Sequence, residues 1–235
     1  MQFIKKFKNF SFAILVTGFA LSLMSVFNGC DENTVTPPTT SKSRTTITHA
    51  SPNAPNVDIL VGDNVIATNV AYPSTLPYTE LNTGNNRIRI RPTGTSTDVI
   101  DETLFFEESK SYSIFAIDSV SKISALFLTD DLTAPGSGNA KVRFVHLSPN
   151  APAVDVAVMG GSTLFPNYAF KEFSSFRAVG AGTYFLEVRL ANQPVVVLSL
   201  PNITFESGKI YTIYARGFVG ASGTQDLGAG IINNN

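Results

Sequence analysis

A ten-residue phrase that occurs twice constrains this chain more than any other feature. The copies read HASPNAPNVD from His49 and HLSPNAPAVD from His146, and they differ at only two positions. A match of this length marks an internal duplication. Each proline fixes its own φ and pushes the preceding residue toward extended backbone, so the phrase cannot lie inside a helix. It predicts a rigid corner, used once in each copy.

A β-branched run follows each corner, at residues 57–61 and 154–158, and such runs indicate strands. No stretch of the body sustains a helical period with caps. We therefore predict an all-β protein with two tandem β-sandwiches of immunoglobulin-like or transthyretin-like type, at residues 45–133 and 141–235. The linker at 134–140 is short, so we expect the two sandwiches to contact each other.

The corner residues have two open interpretations. In the structural one, their side chains satisfy nearby backbone groups, as Ser and Asn commonly do in turns. The residues concerned are His49, Ser51, Pro52 and Asp58 in the first copy and His146, Ser148, Pro149 and Asp155 in the second. In the functional interpretation, the His and the Asp of each copy meet across the turn as a small metal or acid/base site. Two ligands do not fill a coordination shell, which favours the structural interpretation.

At these residues the chain resembles a known family. The repeated phrase, together with Gly182-Thr-Tyr184 and Gly208-Lys-Ile-Tyr-Thr212 in the second copy, is similar to the domain-of-unknown-function family 4397 (DUF4397). The resemblance covers roughly residues 45–128 and 141–218. It implies a protein with tandem domains of the bacterial secreted or surface-anchored kind, including Bacteroidetes-type lipoproteins. It implies no catalytic residue, since the activity of the family is unassigned.

The N-terminus predicts where the protein is delivered. Three lysines within the first eight residues precede a nearly uninterrupted apolar run over 10–27, and Cys30 follows. This is the pattern of a lipoprotein signal peptide at residues 1–29. The Cys30 thiol would then carry a diacylglycerol, and several acyl chains at about 0.8 kcal/mol per buried CH₂ make a durable anchor. The alternative is an uncleaved membrane span, because the apolar run is close to the minimum length that crosses a bilayer.

Residues 30–44 are rich in Thr, Pro and Ser and predict an extended tether between the membrane and the body. Asp31 and Glu32, directly after the cysteine, resemble the surface-export signals of Bacteroidetes lipoproteins. We therefore predict a protein that is lipid-anchored in the outer membrane. Its body would face either the periplasm or the cell surface.

The charge balance of the body bears on whether it binds nucleic acid. Residues 30–235 contain 14 Lys and Arg against 18 Asp and Glu, a formal charge near −4. A weakly acidic body lacks the basic footprint of a nucleic-acid-binding protein, so we predict no nucleic-acid partner. Cys30 is the only cysteine, so the body has no disulfide. We also predict no cofactor and no bound metal.

Arg87, Arg89 and Arg91 alternate with isoleucines and therefore lie on one face of one strand. The second copy has Phe185, Glu187 and Arg189 at these positions, so the fold does not require the arginines. They could bind carboxylate, sulfate or phosphate groups through paired donors. The alternative is a solvated face that protects the sheet from association.

A cluster of aromatic residues distinguishes the second copy: Phe165, Tyr168, Phe170, Phe173 and Phe176. Exposed rings there could stack on sugars or on a partner protein, although packing in a core or between domains is the better explanation.

Nothing in the sequence matches a nucleophile elbow or a phosphate-binding glycine loop, and we predict that the chain is not an enzyme. We predict a binding, adhesion or structural role in the cell envelope, with an envelope protein or an extracellular glycan as partner. The alternative is a carbohydrate-binding accessory lipoprotein of a glycan-uptake system.

Overall fold

Seventeen β-strands and two short 3₁₀ turns make up residues 41–235, which are the residues that the computed structural model describes. The predicted all-β class is confirmed. The predictions for the signal peptide, for Cys30 and for most of the tether lie outside the described residues. Within residues 41–235, no helix is long and apolar enough to cross a membrane.

The first copy contains nine strands. They are β1 (Lys42–His49), β2 (Val57–Val61), β3 (Asn64–Val70), β4 (Ser74–Thr75), β5 (Thr79–Asn82), β6 (Gly84–Pro92), β7 (Ile100–Phe106), β8 (Ser111–Ile117) and β9 (Ser124–Asp130). Strands β3-β2-β6-β7 form an antiparallel outer sheet. Strands β4-β1-β8-β9 form an inner sheet, in which β1 runs parallel to β8 and also pairs with β5.

The second copy repeats this plan with eight strands. They are β10 (Asn139–His146), β11 (Val154–Val158), β12 (Thr163–Tyr168), β13 (Arg177–Gly180), β14 (Gly182–Leu190), β15 (Val196–Phe205), β16 (Ile210–Arg216) and β17 (Gly228–Asn233). The outer sheet has the order β12-β11-β14-β15, and the inner sheet has the order β13-β10-β16-β17. As in the first copy, the first strand of the inner sheet runs parallel to its central neighbour, here β10 beside β16.

The alternation of side chains along each outer strand separates a core face from a solvent face. On β6, Ile88 and Ile90 are fully buried and pack with Ile47 and Ile114 of the inner sheet. In the second copy, Val188 packs in the corresponding core, with residues of β10 and β16. Each copy is therefore a two-layer sandwich with its own core.

The inner sheets have no solvent face, because they pack against each other. All residues from Tyr112 to Ile117 on β8 are buried, and so are those from Ile210 to Ala215 on β16. Phe115, which points away from its own core, shares a third hydrophobic cluster with Val145 and other residues of the second copy. The described residues thus form four layers in the order outer, inner, inner, outer.

Three features differ from the strand pattern that the sequence predicts. Strand β1 begins at Lys42, three residues inside the segment predicted as tether, because β5 pairs with its first residues. Strand β12 was not predicted; Pro166 and the positive φ of Asn167 (56°) interrupt its alternation. Strand β17 was also not predicted, since it begins Gly-Ala-Gly and lacks β-forming side chains there.

Candidate functional site

The His of each corner bonds to backbone within its own turn. His49 Nε2 donates to the Pro55 carbonyl at 3.1 Å, and His146 Nε2 donates to the Pro152 carbonyl at 3.2 Å. Both imidazoles are almost completely buried, and the Nδ1 atom of each has no hydrogen-bond partner among the described residues. Burial lowers the pKa of both imidazoles below the ordinary 6.5.

The Ser of each corner joins it to the end of a central inner strand. Ser51 Oγ donates to the Asp118 carbonyl, and Ser148 Oγ donates to the Gly217 carbonyl, each at 2.6 Å. The following Pro52 and Pro149 lie in the turn itself. The corner therefore fixes the inner sheet at the point where the chain leaves it.

The corner asparagines make a second bond to the same region. Asn53 Oδ1 accepts from the Val120 amide at 2.9 Å, and Asn150 Oδ1 accepts from the Val219 amide at 2.8 Å. These are equivalent contacts in the two copies, so they belong to the fold that the copies share.

The Asp of each corner holds the neighbouring turns of the outer sheet. Asp58 Oδ1 accepts from the Asn69 amide at 3.0 Å and from Thr93 Oγ1 at 2.8 Å, and these two bonds lower the pKa of its carboxyl. Asp155 accepts from the amides of Asn167 (2.7 Å) and Asn192 (3.1 Å). The described hydrogen bonds thus connect each corner carboxylate to these turns and not to its His.

A metal site is not assembled from these groups. Residues 41–235 contain no group of three or more His, Cys, Asp and Glu placed to hold a metal ion. The side chains that the repeated phrase contributes are engaged in hydrogen bonds that hold the sandwich together.

The three arginines of β6 lie on the outer face of the outer sheet, where neighbouring acids neutralise two of them. Arg87 makes a bidentate pair with Asp101, at 2.7 and 2.6 Å. Arg89 donates to the Gly62 carbonyl and pairs with Asp63 (2.9 Å) and Asp98 (3.4 Å). An incoming anion would have to displace these carboxylates.

Arg91 is the third member of the row. It stands opposite Asp58 in the strand pairing, and its charge contributes to the low pKa of that carboxyl. Its Nε is buried and has no hydrogen-bond partner in the described part of the chain. Arg91 thus favours the charged form of Asp58, the carboxylate of the first corner.

The aromatic residues of the second copy do not form one exposed surface. Phe165 is buried in the core, and Tyr168 packs edge-on against Phe144. Phe170 packs at the interface between the copies, and Phe176 lies 4.4 Å from the Arg143 guanidinium. Only Phe173, with 48% of its surface accessible, is a largely exposed ring of this set.

A buried ion pair joins the two copies, and the sequence patterns did not indicate it. Arg143 on β10 and Asp130 on β9 approach to 2.8 Å, with side chains 2% and 0% accessible. Arg143 also donates to Ser113 Oγ of the first copy (3.1 Å) and to Thr212 Oγ1 of the second (3.0 Å). The Arg143 guanidinium is therefore both paired with a carboxylate and hydrogen-bonded, as a buried charge must be.

Tyr78 adds a second link between the two copies to this network. Its hydroxyl donates to Asp130 Oδ2 at 2.5 Å and accepts from Asn234 Nδ2 at 2.9 Å. Burial, and then the Asp130 charge, raise the pKa of Tyr78 far above the ordinary value. The signal that could have revealed the network is the difference between the copies, since Thr46 stands where the second copy has Arg143.

A family model described as "Domain of unknown function (DUF4397)" matches residues 43–157 and 149–234. The chain belongs to the DUF4397 family. No curated protein matches the chain in sequence.

Two solved structures have a partial likeness to the DUF4397 chain. The Bacillus anthracis TIE protein is 12% identical with a TM-score of 0.24; the match covers 75% of this chain and only 34% of that protein. A family CBM26 module from Eubacterium rectale Amy13K, solved with maltoheptaose, is 10% identical with a TM-score of 0.24. That match covers 80% of this chain and 95% of the module.

Two grooves flank the interface between the DUF4397 copies. The first has a volume of about 510 Å³ and lies between the β1–β5 region and β17. Its lining residues include Arg44, Thr46, Tyr78, Ile231 and Asn235. The second groove has a volume of about 250 Å³, is lined by Arg143, Phe173 and Phe176 among others, and lies against β9.

A third cavity, of about 540 Å³, lies beside the corner of the second DUF4397 copy. It is mainly apolar, with Pro152, Leu190, Val197 and Val219 among its lining residues. Val219 is 48% accessible, so this cavity opens onto a hydrophobic surface. The interface groove and this cavity both fall within the volume range that small molecules usually occupy.

Proposed function

We propose that this chain is a lipid-anchored protein of the bacterial cell envelope whose tandem DUF4397 body acts as a non-catalytic binding module. The observation that carries the proposal is the use of the repeated polar residues. Side chains such as His49 and Ser148 bond to backbone within the body, so the repeated chemistry builds a scaffold. Recognition would then depend on surfaces where the copies differ.

The anchor is part of this proposal. The apolar run before Cys30 and the polar tether after it support a Bacteroidetes-type outer-membrane lipoprotein. Fractionation of host cells tests it with a Cys30→Ser variant. We expect the wild-type chain in the membrane fraction and the variant in the soluble extracytoplasmic fraction. A wild-type chain whose Cys30 carries no diacylglycerol, shown by mass spectrometry of its N-terminal peptide, would contradict the lipid anchor and leave an uncleaved span as the explanation.

The binding role is tested with fluorescently labelled Cys30→Ser chain added to outer-membrane fragments and extracellular polymer of the host. We expect saturable binding that unlabelled chain displaces. Binding that rises linearly with concentration, with no displacement, would contradict the proposal. A chain that chemically alters the bound material would contradict the non-catalytic part.

A carbohydrate ligand is the second candidate, and the open interface groove favours it. The groove combines apolar residues such as Pro77 and Ile231 with the side-chain amide of Asn233. A sugar ring presents the complementary surfaces, because its C–H face is apolar and its rim carries hydroxyls.

A further inference from the structure

The two copies are related by an approximate two-fold axis that runs through their interface. Phe115 and Tyr214 occupy equivalent positions on β8 and β16, and their rings contact each other at 6.1 Å between centroids. Contact between equivalent residues is the property of an isologous interface, which here lies within one chain. Every groove on one side of the axis must therefore have a counterpart on the other side.

The two interface grooves are these counterparts. Strand pairing and the hydrogen bonds next to it align Thr46 with Arg143 and Tyr78 with Phe176. The pairing of β9 with β8, and of β17 with β16, likewise aligns Asp130 with Asn234. The same structural positions therefore line both grooves, with different side chains.

Arg143 fills one groove. Its guanidinium lies 4.4 Å from the Phe176 ring and pairs with Asp130 across the interface. The remaining volume, about 250 Å³, is below the usual range for a ligand pocket of about 300–1,000 Å³.

The other groove is open because threonine replaces the arginine. Thr46 is short and donates to the Leu76 carbonyl at 2.6 Å, so it does not extend across the interface. Asn234, in place of the carboxylate, donates to the Tyr78 hydroxyl. The open groove retains about 510 Å³, twice the volume of its counterpart and within the range of ligand pockets.

Arg44 supplies the one charged side chain in the lining of this open groove. Its guanidinium lies over the Tyr78 ring, 5.0 Å from the centroid. Arg44 is exposed, and its side chain makes no ion pair within 4.0 Å in residues 41–235, although Glu80 stands opposite it in the strand pairing. An exposed guanidinium held against a ring offers paired donors to a carboxylate.

We propose that the open interface groove binds an acidic saccharide, with Arg44 donating to a carboxylate of a uronic acid residue. Pro77 and Ile231 would contact the apolar face of the sugar, and the side-chain amide of Asn233 would bond to its hydroxyls. This inference rests on the proposed function, since it names the ligand class and the site of the binding module.

The test is calorimetric titration of the full chain in mild detergent with an oligogalacturonate and with a neutral malto-oligosaccharide of equal length. Two variants address the groove. Thr46→Arg introduces the side chain that fills the counterpart groove, and Arg44→Gln removes the charge. Arg87→Gln is the matched control, because it removes one positive charge from the outer sheet.

We expect wild-type chain and Arg87→Gln to bind the oligogalacturonate alike, and each groove variant to bind at least about tenfold more weakly, the loss expected for a charge-assisted pair. Thermal unfolding of each variant confirms that it folds; if Thr46→Arg does not fold, Arg44→Gln decides. Equal affinity for the neutral oligosaccharide, or unchanged affinity in the groove variants, would overturn the inference. If the wild-type chain binds neither oligosaccharide but still binds envelope material saturably, the groove inference fails and the proposed function stands.

Discussion

Arg143 of the second copy and Asp130 of the first form an ion pair with atoms 2.8 Å apart and almost no exposure to solvent. Neither residue belongs to the repeated phrase, and neither is matched by the same residue type in the other copy. The pair therefore makes the interface between two similar sandwiches asymmetric.

Arg143→Met should destabilise the chain strongly. The change leaves the Asp130 carboxylate buried without its cation, and breaking a buried pair in this way costs about 3–5 kcal/mol. Denaturant unfolding of Arg143→Met and of wild-type chain measures the difference in the free energy of unfolding. Arg87→Gln, which breaks an exposed pair, serves as the control and should change stability little. An equally small effect of Arg143→Met would show that the interface pair does not stabilise the body.

Tyr78→Phe should have a smaller but clear effect. It removes a donor to Asp130 and leaves Asn234 Nδ2 without its acceptor, and an unsatisfied buried polar group costs about 1–3 kcal/mol. The double variant with Asn234→Leu removes the donor that is left unpaired. We expect the double variant to lose less stability than the sum of the two single losses, measured by the same unfolding experiment. Simple addition of the two single losses would contradict coupling through the hydroxyl.

The stability of the body should fall as the pH drops below about 6.5. His49 and His146 have lowered pKa values in the folded chain, so the unfolded chain binds more protons in this range. The stability that the two neutral imidazoles contribute is complete above the pKa that they have in the unfolded chain. It is lost as the pH falls toward their pKa in the folded chain. Unfolding free energies between about pH 7 and pH 5 measure the slope, before most carboxylates titrate.

Glutamine provides the control for this pH dependence. His49→Gln with His146→Gln keeps a side-chain donor in each corner and removes both titrating groups. We expect the slope in this pH interval to become much shallower. An unchanged slope would assign the acid sensitivity to other groups.

Asp131 should titrate at a pKa of about 2, against an ordinary value of 3.8, because Lys141 and then Thr133 donate to its carboxylate. NMR titration of the carboxyl carbon measures this value. Lys141→Gln should raise the pKa toward 3.8, whereas Lys122→Gln, on an exposed turn, should leave it unchanged. A normal pKa in the wild-type chain would mean that Lys141 does not hold the segment that follows β9.

The class of the fold and the position of the corners could be predicted from sequence, because prolines and β-branched runs act locally. Strands β8 and β16 are rich in β-branched and aromatic residues, which is the local signal for a strand. Their burial on both faces, however, depends on the packing of one copy against the other. Strand β17 escaped prediction for a related reason: a side chain at Gly230 would collide with the Tyr214 ring, so packing selects glycine where strand propensity does not.

The candidate site was harder to predict than the fold. Arg87 and Arg89 form a regular sequence pattern, yet their acidic partners come from β7 and from loops that only the folded sheet brings near. Arg44 and Tyr78 showed no pattern at all. Their groove exists because β17 of the other copy forms its second wall, which is information that no local window of sequence contains.

The central claim is that the two DUF4397 copies act as one body, since both the interface network and the open groove require a fixed arrangement of the copies. Differential scanning calorimetry of the full chain tests it most directly. We predict one cooperative unfolding transition whose calorimetric and van't Hoff enthalpies agree. Two separate transitions in the wild-type chain, one for each copy, would contradict the account.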